Sequence, residues 1–285
     1  MPRSILKSQI CILHFAICNF KAPFPLEHEL IHPTAIIHSA AKLGENVAIG
    51  PFCRIGEGVT LGDRCVLDSH IVLEGPTVIG SDNRFFPFCV IGVPPQDLKF
   101  HDEETHLTIG SHNVFREYVN IHRGTKGGGG HTRIGDRNFL MVNVHVAHDC
   151  LLGNDIIMAN AATLAGHVTV EDHATIGAYS GVHQFCRVGS YAYVGGYSVV
   201  TKDVLPYSKT VSERNTAAYG ANAIGLERKG FTPEQVSNIK AAFRLLLQSK
   251  LNTSQAVEAI RKKNPGPEVE VLLKFIETSE RGVIK

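Results

Sequence analysis

The sequence of 285 residues contains no tryptophan, and aromatic residues make up only 7% of it. It also lacks any stretch of the ~18 apolar residues that a membrane-spanning helix needs, so we expect no transmembrane segment. Neither sign of charge is in large excess, because the formal net charge is +1, and we expect no nucleic-acid partner. With 44% hydrophobic residues the chain can still form a sizeable core, and that core must be mainly aliphatic.

A period of six dominates the sequence between residues 134 and 200. Neither an α-helix, with a period of 3.6, nor a single strand, with a period of 2, produces this spacing. The pattern is a hexapeptide repeat and predicts a parallel β-solenoid, in which three units of a short strand and a corner close one coil. A narrow interior of this kind accommodates aliphatic chains better than rings. The residues at every sixth position are all aliphatic or Met: Ile134, Leu140, Val146, Leu152, Met158, Leu164, Val170, Ile176, Val182, Val188, Val194 and Val200.

Two other positions of the repeat indicate tight corners. The residue two places before each aliphatic residue is mostly small, as a second inward-facing position requires. The residue directly after it is often glycine, for example Gly135, Gly153 and Gly177, which we interpret as a corner that needs permissive backbone angles.

Disulfide pairing and zinc-ligand spacing are both missing among the seven cysteines. Five of them occupy the small inward position of a repeat unit, so we predict buried, reduced thiols that act as small hydrophobic side chains. Reduced thiols imply a reducing compartment. The five are Cys53, Cys65, Cys89, Cys150 and Cys186.

The repeat begins near Ile31 and is interrupted twice before residue 134. Residues 92–108 are polar and contain Pro94 and Pro95, and residues 122–133 contain a run of four glycines, so we predict two loops that leave the coil. These features define a predicted β-solenoid domain at residues 29–212.

Helical spacing replaces the hexapeptide repeat in the C-terminal part. Thr232, Pro233 and Gln235 have the spacing of an N-cap, a first-turn proline and a capping-box partner. We predict a helix after this cap and further helices at 254–263 and 268–280, within a helical domain at 213–285. Residues 223–285 hold 11 Lys/Arg and 7 Asp/Glu, a net charge of +4, which indicates either an acidic partner or a solvated helical surface.

Residues 1–28 do not follow the repeat, and no acidic residue precedes Glu27. Their basic composition, with Arg3, Lys7 and Lys21, is typical of a transit peptide, which would direct the protein to the mitochondrion. The segment is poor in arginine, so an N-terminal extension without a targeting role and a translated upstream segment are alternatives. In those cases we expect a cytoplasmic protein.

Five histidines miss the inward positions of the repeat and therefore face outward or lie at corners. Units that begin 18 residues apart stack on the same side of the solenoid, one strand spacing of ~4.8 Å apart. A single outward histidine is usually only solvated, but five on one edge, flanked by both loops, indicate a site. Asp149 follows His148 and can orient its imidazole as a general base. The five are His122, His145, His148, His167 and His183.

Five motifs in these coils and in the C-terminal part are specific: IHRGT at 121–125, NVHVAHDC at 143–150, ATLAGHV at 162–168, VHQFC at 182–186 and GLERKGF at 225–231. Together they closely resemble the UDP-N-acetylglucosamine 3-O-acyltransferase family of the lipid A pathway, over about residues 30–285. The resemblance implies a mainly β fold, a left-handed parallel β-helix with a C-terminal α-helical domain, assembled as a homotrimer with active sites between subunits. It implies transfer of a 3-hydroxyacyl group from acyl carrier protein to the 3-hydroxyl of UDP-N-acetylglucosamine, the first step of lipid A-type biosynthesis, without metal or cofactor.

The resemblance also assigns roles to individual residues. His148 resembles the general base, with Asp149 beside it, and the Gly166 amide would stabilise the thioester oxyanion. Gly196 matches a position in the acyl-chain groove, where a glycine leaves room for a long chain. Substrate-binding positions, some of them reaching the neighbouring subunit's site, are matched by Asp97, Lys99, His122, His145, His167, His183, Gln184, Asn222 and Arg228.

The sequence departs from the family's bacterial pattern at three positions. Ile224 stands where a carboxylate is usual, and Asn215 stands where a histidine often flanks the acyl tail. Lys229 replaces a second arginine, whose planar fork a lysine does not reproduce. Together with the N-terminal extension, these departures suggest a divergent, plant-type organellar member.

Three alternative functions fit parts of the pattern. A related hexapeptide N-acyltransferase would keep one histidine base but would not be expected to share VAHDC, AGHV and VHQFC. A γ-type carbonic anhydrase is also a hexapeptide trimer and binds zinc through three histidines, so stoichiometric zinc would favour it. A purely structural solenoid does not explain why outward histidines cluster on one edge.

Overall fold

The structure is a computed structural model that describes residues 30–212 and 216–285. The predicted targeting segment at 1–28 and Asn215 lie outside the described residues. The described chain forms the expected left-handed parallel β-helix, followed by a small helical domain.

Short parallel strands stack into three sheets, which form the three faces of a prism. Strands 18 residues apart pair in register, as between Val146, Leu164 and Val182, and the two loops extend two of the coils. Face 1 consists of β1 (Ile36–Ile37), β4 (Arg54–Ile55), β7 (Val72–Leu73), β10 (Val90–Val93), β13 (Asn120–His122), β16 (His145–Val146), β19 (Thr163–Leu164), β22 (Gly181–Val182) and β25 (Val199–Val200).

The other two faces alternate with face 1 along the chain. Face 2 consists of β2 (Lys42–Leu43), β5 (Val59–Leu61), β8 (Thr77–Ile79), β11 (His106–Ile109), β14 (His131–Ile134), β17 (Leu151–Leu152), β20 (Thr169–Val170) and β23 (Arg187–Val188). Face 3 consists of β3 (Ala48–Ile49), β6 (Val66–Leu67), β9 (Arg84–Phe85), β12 (Val114–Phe115), β15 (Phe139–Leu140), β18 (Ile157–Met158), β21 (Thr175–Ile176), β24 (Tyr193–Val194), β26 (Ser208–Ser212) and β27 (Thr216–Ala221). Only the last pair, β26 and β27, is antiparallel among these strands.

The interior of the prism is filled by the residues of the six-residue period. All twelve aliphatic positions from Ile134 to Val200 are buried, which confirms the predicted register. The second inward position is buried as well, and the five cysteines predicted there are free and buried. Burial raises the pKa of the Cys89 and Cys150 thiols to about 12, so both are neutral and unreactive.

We predicted that the glycine after each aliphatic residue is needed for its permissive backbone angles, and this prediction was wrong. Left-handed backbone angles fall instead three residues before the aliphatic residue, at non-glycine positions such as Asp149 and His167. Glycine is needed for close stacking of coils, because a Cβ on Gly135 would lie 2.5 Å from the carbonyl oxygen of Gly153.

Three edges join the faces. The loop edge lies between faces 1 and 2 and carries both loops, which span 94–105 and 123–130, shorter than predicted because β11 and β14 begin inside the predicted breaks. A short 3₁₀ turn, Lys126–Gly128, lies in the second loop. The aromatic edge lies between faces 3 and 1, and the third edge lies between faces 2 and 3. The aromatic edge is defined by Phe52, His70, Phe88, Tyr118, Tyr179 and Tyr197.

The helical domain has its own apolar core and contains α1 (Ala223–Arg228), α2 (Pro233–Gln248), α3 (Thr253–Arg261) and α4 (Pro267–Glu277). Both halves of the predicted capping box at Thr232 are present. Sequence spacing missed α1, which is only six residues long, and the strands continue to Ala221, past the expected boundary at 212. No helix in the described part of the chain is long and apolar enough to cross a membrane.

Candidate active site

Four of the five predicted histidines form a cluster at the loop edge, namely His122, His145, His148 and His167. Each follows or lies on a strand of face 1, so the parallel register of β13, β16 and β19 brings residues from three coils together. The imidazoles of His122 and His145 are 5.0 Å apart, and those of His148 and His167 are 5.2 Å apart, both edge to face. The structure therefore builds a compact cluster of imidazoles.

His148 and Asp149 form a hydrogen-bonded dyad at the centre of this cluster. The His148 Nδ1–H donates to Asp149 Oδ2 at 2.8 Å, which leaves Nε2 as the unprotonated acceptor. Burial raises the pKa of the Asp149 carboxyl, but hydrogen bonds from His148 and Thr125 lower it by more, so the carboxylate stays ionised. The arrangement suits a base that takes a proton at Nε2 while the carboxylate stabilises the resulting cation.

The pair of His122 and His145 is held in the neutral form. His122 is 2% exposed, because the first loop covers it and the Gln96 N–H approaches His122 Nδ1 at 3.4 Å. Burial, together with the neighbouring imidazoles of His145 and His148, lowers its pKa to about 4. Burial also lowers the pKa of His145, whose Nδ1 pairs with Asn120 Oδ1 at 2.9 Å. Both rings can therefore hydrogen-bond a ligand without carrying charge at neutral pH.

His167 lies on the coil above the dyad. Its ring stacks on Phe185, with centroids 4.4 Å apart, and its Nε2 is 3.9 Å from Asp149 Oδ2. Burial lowers its pKa more than the carboxylates of Asp149 and Asp97 raise it. Asp97 itself lies on the first loop, where its Oδ1 accepts a hydrogen bond from the Lys99 N–H at 2.9 Å.

Gly166 packs directly against the His148 imidazole. A Cβ at this position would lie 2.6 Å from His148 Cε1 and 2.8 Å from Nε2, so only glycine leaves the ring in place. Its N–H has no hydrogen-bond partner among the described residues. A free N–H on a residue that packs against the His148 ring is a donor of the kind that an oxyanion formed during acyl transfer requires.

The remaining predicted residues are spread over several parts of the molecule. His183 and Gln184 lie exposed at the loop edge one coil beyond His167, and Lys99 is exposed on the first loop. Asn222 lies at the third edge, where its side chain donates to the Tyr191 carbonyl at 3.2 Å, and the exposed Arg228 follows at the end of α1.

Gly196 lies on the aromatic edge beside Tyr197, on the far side of face 1 from the imidazoles. Within one chain, then, Asn222, Arg228 and Gly196 do not join the cluster.

One group in the described part of the chain has ligand atoms close enough to hold a metal ion, namely His148, Asp149 and His167. The side chains of this group fit a hydrogen-bonded dyad better than they fit a metal site. The Asp149 oxygens already accept three hydrogen bonds, and His148 Nδ1 carries a hydrogen directed at one of them. A zinc site of the three-histidine kind would need a third imidazole in this group, so the carbonic anhydrase alternative is not supported.

Sequence reasoning missed two side chains that shape the site. Thr125 donates two hydrogen bonds to Asp149, and Phe185 supports the ring of His167. Thr125 ends the motif IHRGT and could have been singled out there. The stack on Phe185 follows from the 18-residue spacing between positions 167 and 185, once the turn geometry is known.

Comparisons with known proteins show which family this chain resembles. Residues 203–284 match the family model described as UDP N-acetylglucosamine O-acyltransferase, domain 2, and residues 40–70 and 167–202 match bacterial transferase hexapeptide repeats. The acyl-[acyl-carrier-protein]--UDP-N-acetylglucosamine O-acyltransferase of Thermodesulfovibrio yellowstonii is 47% identical, over 90% of this chain and 99% of its own.

Solved structures give the same result. LpxA from Acinetobacter baumannii is 42% identical, with a TM-score of 0.87 over 90% of this chain and 100% of the other. The UDP-N-acetylglucosamine O-acyltransferase (LpxA) of Moraxella catarrhalis is 40% identical, with a TM-score of 0.86 over the same shares.

Proposed function

The chain belongs to the UDP-N-acetylglucosamine O-acyltransferase family, and on this basis we propose that it transfers a 3-hydroxyacyl group from acyl carrier protein to the 3-hydroxyl of UDP-N-acetylglucosamine. The observation that carries the chemistry is the dyad of His148 and Asp149, with the unpaired Gly166 N–H beside it. A thioester has a reactive carbonyl and a good leaving group, so a general base and an oxyanion donor suffice for the reaction.

In the proposed mechanism His148 Nε2 accepts the proton of the sugar 3-hydroxyl as its oxygen attacks the thioester carbonyl. Asp149 stabilises the imidazolium through the hydrogen bond at Nδ1. The negative charge that develops on the carbonyl oxygen is stabilised by the Gly166 N–H. When the tetrahedral intermediate collapses, the carbon–sulfur bond breaks, and the imidazolium returns its proton to the thiolate of the carrier.

The other polar residues of the loop edge are proposed to bind the substrates. His122 and His145 are neutral and can hydrogen-bond the sugar, while His167 lies next to the base. Asp97 and Lys99 on the first loop would contact the sugar nucleotide. His183 and Gln184 are exposed one coil further along and extend the proposed site.

A homotrimer is the proposed assembly, and the outward residues indicate how it packs. Faces 1 and 3 present apolar side chains such as Val72, Val90, Val114 and Ile157, whereas face 2 presents several charged or hydroxyl side chains. The aromatic edge between faces 1 and 3 carries stacked rings, several of them half exposed or more. Exposed apolar patches of this kind mark protein interfaces. We propose that face 1 of each chain packs on face 3 of the next, with the aromatic edges around the threefold axis.

This packing would complete the site. If face 1 of one chain meets face 3 of the next, then the loop edge of the first lies beside the third edge of the second. Asn222 and Arg228 belong to that third edge, so they would reach the neighbour's histidines. Lys229 also lies at the third edge. Burial lowers the pKa of His173, and the positive charge of Lys229 lowers it further. Gly196 would line the groove between adjacent chains, and Ile224 leaves the usual carboxylate position exposed and apolar.

The helical domain is proposed to dock the acyl carrier protein. Its net charge of +4 would attract an acidic partner over roughly the Debye length, ~10 Å at 0.1 M salt. Arg228 and Lys229 lie at its junction with the solenoid, where the carrier must approach to deliver its acyl chain.

Mitochondrial targeting by residues 1–28 stays a prediction. Fusion of this segment to a fluorescent protein tests it directly, and diffuse fluorescence throughout the cell would favour the cytoplasmic alternative.

The test of the proposed function is steady-state acyl transfer from 3-hydroxyacyl carrier proteins of several chain lengths to UDP-N-acetylglucosamine. Because general base catalysis contributes ~10²–10⁴-fold, His148→Ala should lower kcat by about that factor, with a smaller change in KM. The acidic limb of the pH profile of kcat/KM should disappear with the base. His38→Ala, an exposed histidine far down the solenoid, is the matched control. A His148→Ala variant within a few-fold of wild type would move the base to another residue.

A further inference from the structure

Thr125 makes two hydrogen bonds to the carboxylate of the dyad. Its backbone N–H donates to Asp149 Oδ1 at 2.9 Å, and its hydroxyl donates to Oδ2 at 2.6 Å. The Thr125 residue is 6% exposed and Asp149 is 5% exposed, so the contact is shielded from solvent. Of the three hydrogen bonds that the carboxylate accepts from described residues, Thr125 provides two and His148 provides the third.

The same hydroxyl ties the second loop to the dyad. Thr125 is the N-cap of the 3₁₀ turn, and its Oγ1 accepts a hydrogen bond from the Gly128 N–H at 3.2 Å. The turn then passes over the carboxylate, because a Cβ on Gly128 would lie 2.2 Å from Asp149 Oδ2 and 2.5 Å from His167 Cε1. Glycine at 128 therefore lets the loop backbone lie against both side chains.

The position of Asp149 is fixed from the other side as well. Its backbone is left-handed, with φ of 59°, and its N–H donates to the Thr132 hydroxyl at 2.8 Å. The backbone of Asp149 is thus held by Thr132 and its side chain by Thr125. Only the rotation of the carboxylate remains to be set, and the two donors of Thr125 set it by contacting different oxygens.

We propose that Thr125 is a positioning residue, which acts through Asp149 to orient the His148 imidazole and hold its Nδ1 tautomer. This inference rests on the proposed function of the dyad. Without the hydroxyl, Oδ2 accepts only the imidazole, and the carboxylate can rotate away from it. The imidazole then loses the partner that holds its orientation and its Nδ1 hydrogen.

The test compares Thr125→Val, which keeps the shape but removes the hydroxyl, with Thr125→Ser, which keeps the hydroxyl. Misplacing a reacting group by about 1 Å can cost ~10²-fold in rate. Thr125→Val should therefore lower kcat by ~10–100-fold and leave the KM for UDP-N-acetylglucosamine within about threefold. Thr125→Ser should restore kcat. A purely structural role would lower the melting temperature and leave the kcat of the folded enzyme unchanged.

Double variants show whether Thr125 acts through the base. In a His148→Ala background, Thr125→Val should cause little further loss of kcat, because the two residues work as one unit. Additive losses would overturn the inference, as would a Thr125→Val enzyme with wild-type kcat. If His148→Ala itself retains activity, the hypothesis that His148 is the base is wrong. That outcome differs from a Thr125→Val enzyme with unchanged kcat, which would reject only the role of Thr125.

A second pair of variants covers the case in which Thr125→Val does not fold. Gly128→Ala places a Cβ against Asp149 Oδ2 and should lower kcat with little change in KM. Gly127→Ala is the matched control, because a Cβ there meets no atom within 4 Å. Equal activity of the two glycine variants would overturn the inference.

Discussion

His148 and Asp149 are adjacent in sequence, yet the dyad depends on residues from three coils. The turn that carries them places Asp149 in a left-handed conformation, so its carboxylate can turn back to the preceding imidazole. Thr125, one coil below, holds that carboxylate, and Gly166, one coil above, leaves room for the ring. The proposed catalytic unit is therefore built from residues stacked on three successive coils rather than from a linear motif.

Gly166 provides a test of this stack. Gly166→Ala would place a Cβ 2.6 Å from the His148 ring, which is held by Asp149 and cannot move without losing its hydrogen bond. A misplacement of about 1 Å can cost ~10²-fold in rate, so kcat should fall by about that factor with little change in KM. Steady-state kinetics and a melting curve measure both effects. An active Gly166→Ala enzyme would show that the ring is not confined there.

His122 predicts how stability depends on pH. Its folded pKa of about 4 lies below the usual 6.5, so below pH 6.5 the unfolded chain binds a proton that the folded chain does not. The free energy of unfolding should therefore fall as pH drops from 6.5 toward 4, by at most about 1.4 kcal/mol per pH unit for this group. Burial lowers the pKa of His145 and His167 in the same sense, and they add to the slope.

Urea unfolding at fixed protein concentration, between pH 7 and pH 4.5, measures that slope. His122→Asn keeps an acceptor near the Nδ1 position for the Gln96 N–H but does not titrate. It should make unfolding less dependent on pH by up to one proton. A slope equal to that of wild type would contradict the pKa assigned to His122.

At the scale of elements, each hexapeptide unit combines an inward-facing core with a corner that is free to vary. Strand residues alternate between the core and a face, and the corner residues define an edge. Both long loops leave from the same edge, where they cover His122 and Asp149. Insertions at corners can thus build a site without disturbing the stacking of strands.

The helical domain is anchored by its own capping signals. Thr232 accepts from the Gln235 N–H at 3.2 Å, and Gln235 accepts from the Thr232 N–H at 2.8 Å. Loss of an N-cap hydroxyl costs ~1 kcal/mol, so Thr232→Ala should lower the free energy of unfolding of this domain by about that amount, and Thr232→Ser should not. Urea denaturation followed by helical circular dichroism measures the difference. An unchanged midpoint for Thr232→Ala would show that packing of α2 alone fixes its start.

For the whole molecule, the proposed trimer explains why the faces of the prism differ. A solenoid with all its faces in water would have no reason to stack half-exposed rings along one edge. With the aromatic edges around a threefold axis, these rings are covered, and the third edge of one chain is brought to the loop edge of another. Cyclic closure of this kind uses two different surfaces of each chain.

A charge on the aromatic edge should dissociate the trimer. Tyr118→Glu places three carboxylates near the proposed axis, and its ring stacks on Phe88 at 5.0 Å in the single chain. Light scattering should then report the mass of one 31.0 kDa chain instead of about three, together with loss of activity. Leu151→Glu, on the outward side of face 2 and 44% exposed, is the matched control and should remain a trimer. Dissociation by the control but not by Tyr118→Glu would place the axis elsewhere.

The sequence by itself determined the solenoid and its register, and it singled out His148 as the proposed base. A six-residue period can be satisfied only by a coil with one inward position per short strand, so the buried aliphatic residues and cysteines followed directly. Motifs around His148, Gly166 and His183 sufficed to recognise the family. The helix cap at Thr232 could also be predicted from the sequence, because an N-cap residue and its capping-box partner are only three residues apart.

The tertiary structure alone decided the geometry at the corners. Left-handed angles at non-glycine residues and close stacking of coils are set by contacts 18 residues apart, which no local pattern records. For the same reason the burial of His122, the two hydrogen bonds of Thr125 and the placement of Asn222 on a different edge from the histidines emerged only in three dimensions. Each of these features depends on the edge of the prism from which a loop or helix extends. The hexapeptide repeat has the same pattern at all three corners of a coil, so it does not specify that edge.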